Sequence, residues 1–313
     1  NGNYVVNSPS WWNGDAQSAG AVTFCNGMTG RVGPVSTSNS LVGTHSQDGV
    51  GAYKTVALSN GNYVAFGIYW DGYRGHATFG DGTNGTIGPV SSSNSLVGTI
   101  PYEGLNGVVP LANGNYLATS VYSNTKGAIT FGSGTAGVTG VVTEQNSLVG
   151  TSQGDAIGNS GITAYPDGTY VVYSGGWDNG GIVNASAVTL GNGSIPLVGQ
   201  ITSANSVLGT LPTTAAAWRY AYDPVRKVLV VGRYSKFVSI FRYSNATISG
   251  RITQISGVGV AGVTVSISGS ATGQTSTDAD GNFSIDAPIK GSYTITPTKA
   301  GKIFSPASQT FDG

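Results

Sequence analysis

The stretch ALSNGNYV, residues 57–64, sets two apolar and β-branched runs on either side of Asn-Gly. Asn and Gly tolerate positive φ, so this dipeptide between such runs is the strongest short-range signal for a β-hairpin. Nearly the same words stand at residues 110–117 as PLANGNYL. The second half recurs as NGNYVV from residue 1 and as DGTYVV from residue 167. The tyrosine of the phrase falls at Tyr4, Tyr63, Tyr116 and Tyr170, so the hairpin is rebuilt at steps of 59, 53 and 54 residues.

Three further phrases keep the step. AVTFCNG from Ala21 becomes ATFGDG from Ala77, AITFGSG from Ala128 and AVTLGNG from Ala187. NSLVGT stands at Asn39, Asn94 and Asn146, and NSVLGT at Asn205. Before each new hairpin come YKTVALS from Tyr53, GVVPLA from Gly107, GITAYP from Gly161 and WRYAYDP from Trp218. Each phrase is a short β-branched or aromatic run bounded by Gly, Asn, Asp or Pro, and so reads as a strand. Lettered a (YKTVALS), b (NYVV), c (AVTF) and d (NSLVG), the strands number 18, ending in a degenerate fifth unit of WRYAYDP, KVLVVGR and VSIFRYS. The spacing predicts an all-β, five-unit β-propeller-like domain over residues 1–244, with about four strands per unit. The first unit lacks its a strand and the last its d strand. An unpaired strand edge is a template for pairing, so strand exchange between subunits is one expectation; truncation of a longer product explains the same gaps, and an open stack of β units is the alternative to a ring.

Composition agrees. Glycine contributes 50 of 313 residues, only 9% are charged and the net charge is zero. Leu, Glu and Lys are scarce, while Val, Thr, Tyr, Ser and Asn are abundant, a mixture that favours short strands and tight turns over helices or disorder. A neutral chain gives no electrostatic footprint for nucleic acid or an anionic membrane. No apolar run, the longest being residues 228–231, approaches the roughly 18 residues of a membrane span. A single cysteine, Cys25, leaves no internal disulfide framework. A chain starting at Asn reads as a processed product, and the low charge with many Ser, Thr and Asn suits a secreted or cell-surface location.

From Ile248 the repeat stops. GRIT…GVAGVTVSISG, TSTDADGNFSI, GSYTITPTKAGKIFSP and SQTF resemble the carboxypeptidase-regulatory-like modules of secreted bacterial proteins. The resemblance covers residues 248–313 and implies a small Ig-like β-sandwich with one more strand after SQTF than is present. The alternation in VTVSI, residues 263–267, and YTIT, residues 293–296, independently reads as half-buried strands with DADGN as the turn between two of them. More loosely, residues 1–244 resemble bacterial propeller-type repeats of the form GNYVV…GAVTFGNG…NSLVG. That likeness implies no activity.

Catalytic chemistry finds no foothold. Asp71, Asp81, Asp167, Asp178 and Asp223 sit in turn phrases, where aspartate bonds its own backbone. His45 and His76 are the only histidines, and no G-x-S-x-G surrounds a serine. Cys25 stands where the other units have Gly80, Gly132 and Gly191, with nothing beside it to lower a thiol pKa. GSGTAG at residues 132–137 satisfies G-x-G-x-x-G, but a strand rather than a helix follows it. DADGN at residues 278–282 lacks the spacing and bidentate Glu of a calcium loop. No metal, cofactor or enzymatic activity is expected.

One repeated feature offers recognition. The b–c loop carries an aromatic in each unit, and Trp12, Trp70, Tyr122, Trp177 and Tyr234 are the candidate ligand-binding residues, able to stack on sugar rings if exposed. Packing between neighbouring units is the competing role for the same residues. The expected function is a non-enzymatic extracellular structural or adhesive protein that self-associates into a filament, fibre or layer. A lectin-like, glycan-binding propeller is the alternative.

Overall fold

The computed structural model describes every residue except 1, 103, 121–125, 213–217, 233–237, 243–244, 270–271, 289–291 and 313. The first repeat comprises β1 (Tyr4–Ser8), β2 (Ala21–Cys25) and β3 (Leu41–Val42), which are its b, c and d strands. The second runs β4 (Val56–Ala57), β5 (Tyr63–Gly67), a single helical turn α1 (Trp70–Tyr73), β6 (His76–Gly80), β7 (Gly88–Pro89) and β8 (Leu96–Val97). The third holds β9 (Gly107–Pro110), β10 (Tyr116–Ser120), β11 (Ala128–Gly132), β12 (Gly140–Val141) and β13 (Ser147–Val149). The fourth holds β14 (Ile162–Ala164), β15 (Thr169–Ser174), β16 (Ala187–Asn192), β17 (Gly199–Gln200) and β18 (Ser206–Leu208). A fifth unit contributes β19 (Arg219–Asp223), β20 (Val228–Gly232) and β21 (Val238–Arg242). Every expected a, b, c and d strand is therefore formed.

The Asn-Gly hairpins close differently from a two-residue turn. Leu58 N–H bonds to Asn62 O at 2.8 Å and Gly61 N–H to Leu58 O at 3.1 Å, enclosing Ser59, Asn60 and Gly61. Only the glycine is left-handed, at φ 91°, as in a three-residue loop with Gly at its αL position. Asn60 is kept for another purpose: its Nδ2 donates to Gly134 O of the next repeat at 2.6 Å.

Strands β7, β12 and β17 have no counterpart in the sequence reading. Each lies between c and d of its own repeat and pairs in parallel with the d strand of the preceding repeat: Gly88 opposite Leu41, Gly140 opposite Leu96 and Gly199 opposite Leu148. These e strands make each sheet from two repeats. The orders are β1-β2-β3-β7, β12-β8-β6-β5-β4 and β17-β13-β11-β10-β9, whereas the fourth sheet, β14-β15-β16-β18, ends at its own d strand and the fifth is β19-β20-β21.

The core lies between sheets rather than within one. Strand b buries alternate residues on opposite faces, as a pleated strand must. Tyr63 and Ala65 join Val22, Phe24 and Leu41 of the first repeat, while Val64 joins Tyr116 and Ala118 of the third. Leu117 in turn meets Tyr170 and Val172 of the fourth repeat, whose Val171 packs with Trp218 and Leu229 of the fifth. Burial on both faces is why these strands read as near-continuous apolar runs.

Within every repeat a buried hydroxyl pair ties c to d. Thr23–Ser40, Thr78–Ser95, Thr130–Ser147 and Thr189–Ser206 lie 2.7, 2.7, 2.7 and 2.6 Å apart. The serine donates to the Oδ1 of the asparagine before it at 2.8 Å in each case, so the threonine is the donor to the serine. That asparagine also donates its Nδ2 to the carbonyl of the e segment, as Asn94 does to Pro89 O at 2.9 Å. The recurrence of NS in NSLVGT follows from this: both polar groups are needed to satisfy a buried threonine and to hold the e segment.

The C-terminal module is an Ig-like sandwich of β22 (Asn245–Arg251), β23 (Thr264–Gly269), β24 (Gly273–Ser276), β25 (Asn282–Pro288), β26 (Ser292–Thr298) and β27 (Gln309–Asp312). Its sheets are β22-β25 and β24-β23-β26-β27, closing over Val263, Val265, Ile267, Tyr293 and Ile295. DADGN is the expected turn. Asp278 accepts the N–H groups of Asp280 and Asn282 at 2.9 and 2.8 Å, and these bonds, with that of Asn282 foremost, hold its carboxyl below the ordinary value. SQTF forms the edge strand β27.

Candidate functional site: the loops between strands b and c

The b–c loops are positioned by an acid of the preceding repeat. In the second repeat, the N–H of Asp71 donates to Asp48 Oδ1 at 3.0 Å, while Asp48 Oδ2 accepts the N–H groups of Thr44 and His45. In the fourth, Asp178 N–H donates to Asp155 Oδ1 at 3.0 Å, and Asp155 Oδ2 accepts from Thr151 and Ser152. Asp48 and Asp155 are 2% and 0% exposed. They are buried carboxylates saturated by backbone donors, joining the d–a loop of one repeat to the Trp-Asp phrase of the next.

The tryptophans of those phrases point inward. Trp70 is 9% and Trp177 3% exposed, the first packed with the core between repeats one and two and the second with that between three and four. Inter-repeat packing therefore describes these two, and burial puts their faces out of reach of a stacking ligand. Trp12, where the other loops carry Asp71 or Asp178, is 56% exposed and stands free. The turn that presents it is closed by reciprocal bonds between Asn13 and Ala16 at 3.1 Å, with Asn13 Nδ2 on Gly43 O at 2.9 Å. Tyr122 and Tyr234 lie outside the described residues.

Exposed aromatic surface gathers instead around the second repeat's loop. Tyr53 and Tyr69 have ring centroids 5.8 Å apart, Tyr69 and Tyr73 meet edge-on at 5.4 Å, and Tyr73 stacks on Tyr102 at 5.0 Å. Asp71, Tyr73 and Tyr102 take φ values of 48°, 69° and 67°, a left-handed conformation that is rare for bulky side chains and concentrates at functional positions. Asp71 is paired with Arg74 Nη1, and Arg74 Nε is buried without a partner among the described residues. Exposed aromatic faces beside an ion pair are features of a surface for a polar, ring-bearing ligand. The sequence reading noted Tyr69, Tyr73 and Arg74 beside Trp70. Tyr53 and Tyr102 escaped it, because they reach the loop only through the fold.

Several other titratable groups are committed elsewhere. His76 is fully buried, its Nδ1 2.9 Å from Thr78 Oγ1, and burial pushes its pKa down to about 3. Asp81 accepts the N–H groups of Thr83 and Asn84, and Asp223 those of Val225 and Arg226, each a turn staple. Asp167 bonds Lys227 and, at 3.1 Å, the Tyr222 hydroxyl of the fifth unit. Burial raises its pKa, and the bonds from Lys227, Thr169 and Tyr222 outweigh that to leave it lowered. Cys25 is buried opposite Tyr4. Among the described residues no group of three or more His, Cys, Asp or Glu is placed to hold a metal, and no helix is long and apolar enough to cross a membrane. A depression of about 220 Å³ between repeats two and three is lined in part by Lys126, Thr143 and Glu144.

Two family models match the sequence. One, described as a repeat of unknown function (DUF5650), matches residues 1–52, 57–106, 110–159 and 164–216. The other, described as a carboxypeptidase regulatory-like domain, matches residues 247–309. The fifth, three-stranded unit lies outside both. No curated protein matches. Among solved structures the chain is similar to selenomethionine-substituted virginiamycin B lyase from Staphylococcus aureus, at 12% identity over 77% of this chain and 73% of that one, with a TM-score of 0.34. A likeness of that size supports no conclusion about this chain.

Proposed function

The chain belongs to the DUF5650 repeat family and carries a C-terminal carboxypeptidase regulatory-like domain, and from that premise we propose that it is a non-enzymatic structural or adhesive protein. In this reading it is an extracellular subunit whose propeller-like array of sheets self-associates into a surface filament, fibre or layer. The observation that carries the reading is the e strand. Each of repeats two to four pairs its own backbone with the d strand of its predecessor, over an apolar cluster shared between the two. Such an interface extends by adding the same unit again, and pairing along strand edges is a general route to assembly. With 9% charged residues, few ions need be desolvated when surfaces meet. Light scattering across a concentration series, with negative-stain electron microscopy, tests it. Ordered, concentration-dependent particles support the reading; a monomer at every concentration overturns it.

A second reading, carbohydrate binding, is favoured by the exposed Tyr69, Tyr73 and Tyr102 cluster and by Trp12. It expects saturable binding on a glycan array that Tyr73→Ala with Tyr102→Ala removes and Trp70→Phe leaves intact.

A further inference from the structure

The e segment of the first repeat has the form of the other three and is unpaired among the described residues. Residues 31–35, RVGPV, align with TIGPV at 86–90, VTGVV at 138–142 and VGQI at 198–201, each ending the same distance before NSLVGT or NSVLGT. Gly33 has φ 107°, beside 90°, 98° and 84° at Gly88, Gly140 and Gly199. Asn39 Nδ2 holds Pro34 O at 2.8 Å and its Oδ1 takes Ser36 N–H at 2.9 Å, as Asn94 does for Pro89 and Ser91. The segment is thus fixed in the pairing conformation before any pairing. It is also bare. Val32 is 93% exposed, and Val35 is half-buried, as is its paired counterpart Val142, whereas Val90 and Ile201 are 4% and 2% exposed.

The complementary gap lies at the other end of the array. Among the described residues β18 is the last strand of its sheet, and β21 of the fifth unit comes near it. In the paired repeats the d strand accepts from the e strand through carbonyls such as Ser40 O, from Gly88 N–H at 2.9 Å, and Val42 O, from Val90 N–H at 3.0 Å. The equivalent carbonyls of β18, Ser206 O and Leu208 O, take no such bond among the described residues.

We propose that residues 31–35 pair in parallel with β18 of a second copy of this chain, Gly33 opposite Val207 and Pro34 opposite Leu208. Gly33 N–H then donates to Ser206 O and Val35 N–H to Leu208 O of the other copy. The register is the one that the three internal pairings share. Among the described residues neither partner is paired within the one chain, and a second copy supplies each with the other. Docking satisfies the edge carbonyls of β18 and the N–H groups of Gly33 and Val35, as the three internal pairings do for theirs. This inference rests on the self-association reading above and names the contact that makes it.

Site-directed crosslinking tests the register. In a Cys25→Ser background, Pro34→Cys in one chain and Leu208→Cys in another are mixed and mildly oxidised. Parallel strand partners lie within the ~4.4–6.8 Å Cα separation that a disulfide spans, so a disulfide-linked heterodimer is expected. The double variant should give a ladder of multimers on a non-reducing gel. A double variant that forms only an internal disulfide and stays monomeric overturns the proposal in favour of closure within the chain. Absence of any crosslink, where light scattering shows the parent chain assembled, overturns the contact and leaves the assembly reading standing. If neither assembly nor crosslink is found, both fall. A second variant guards against a misfolded cysteine chain: Val35→Asp should abolish assembly in a chain that still unfolds cooperatively, and persistence of assembly contradicts the proposal.

Discussion

The ring of Tyr116 lies across the strand from Gly132, close enough that a Cβ on that glycine would sit 2.1 Å from the tyrosine Cζ. Tyr63 stands in the same relation to Gly80 and Tyr170 to Gly191, both at 2.0 Å. The first repeat is the exception. In the first repeat the position opposite the tyrosine is Cys25, and there Tyr4 swings out to 50% exposure while its counterparts are buried. A conserved-looking phrase, NGNY, and a distant glycine are thus two halves of one packing unit, and the cysteine marks the unit in which it is not made.

Gly132→Ala should therefore destabilise the repeat array by ~1–3 kcal/mol, the usual cost of overpacking a filled site. Cys25→Gly should cost far less, because no ring is displaced. Urea unfolding followed by tryptophan fluorescence distinguishes them. Equal effects of the two substitutions would contradict the packing account.

The buried hydroxyl chain makes an asymmetric prediction. Thr130→Val leaves the hydroxyl of Ser147 without its donor, and stranding a buried polar group costs ~1–3 kcal/mol. Replacing both, Thr130→Val with Ser147→Ala, removes the polar pair together and should recover part of that loss. A double-mutant cycle by chemical denaturation reads the coupling. Strict additivity would show that the pair acts as two independent groups.

Gly134 tests how repeats are joined. Its N–H is taken by Asn115 Oδ1 at 2.8 Å, and its carbonyl accepts from Asn60 and Asn62 Nδ2 of the repeat before, at 2.6 and 2.7 Å. Asn62→Ala and Asn115→Ala should each destabilise by ~1–2 kcal/mol, with non-additivity of ~0.5 kcal/mol or more in the double variant, as for residues in one network. The fourth repeat departs from the pattern with Asp167, and there the fifth unit presents Lys227 in place of a carbonyl.

Acid sensitivity should trace to His76. Burial holds this imidazole neutral, its pKa about 3 against an ordinary 6.5. Between those values the unfolded chain binds a proton that the folded chain does not, so stability falls as pH drops from 6.5 toward 3. The slope from one such group is at most ~1.4 kcal/mol per pH unit. His76 faces Gly67, where the other repeats pair Ser120 with Ala128 and Ser174 with Ala187. Gly67→Ser with His76→Ala imports that pairing and should flatten the slope between pH 6.5 and 5, read from urea midpoints at three pH values. An unchanged slope would place the acid sensitivity elsewhere.

The repeat architecture was legible because strands b and c are long, bury both faces and are bounded by Asn-Gly or Gly-rich turns. The e strands were not. β7, β12 and β17 are two residues each, Gly-Pro, Gly-Val and Gly-Gln, too short for any periodicity and apolar only in part. Their trace in the sequence is a glycine at a fixed distance before each NSLVGT-type asparagine, at Gly33, Gly88, Gly140 and Gly199, all left-handed. The b–c loop aromatics were visible as a set, but not which way each ring turns. Trp70 and Trp177 are held inward by loops fastened to Asp48 and Asp155 of the preceding repeat, and that fastening joins residues far apart in sequence. The tyrosine cluster is likewise assembled from three loops.

Cryo-electron microscopy of the assembled chain bears most directly on how the units join. The account predicts continuous density along the outer edge of β18, contributed by residues 31–35 of a neighbouring subunit, with Pro34 opposite Leu208. Particles that remain single chains, or assemblies in which that edge is bare, would contradict it.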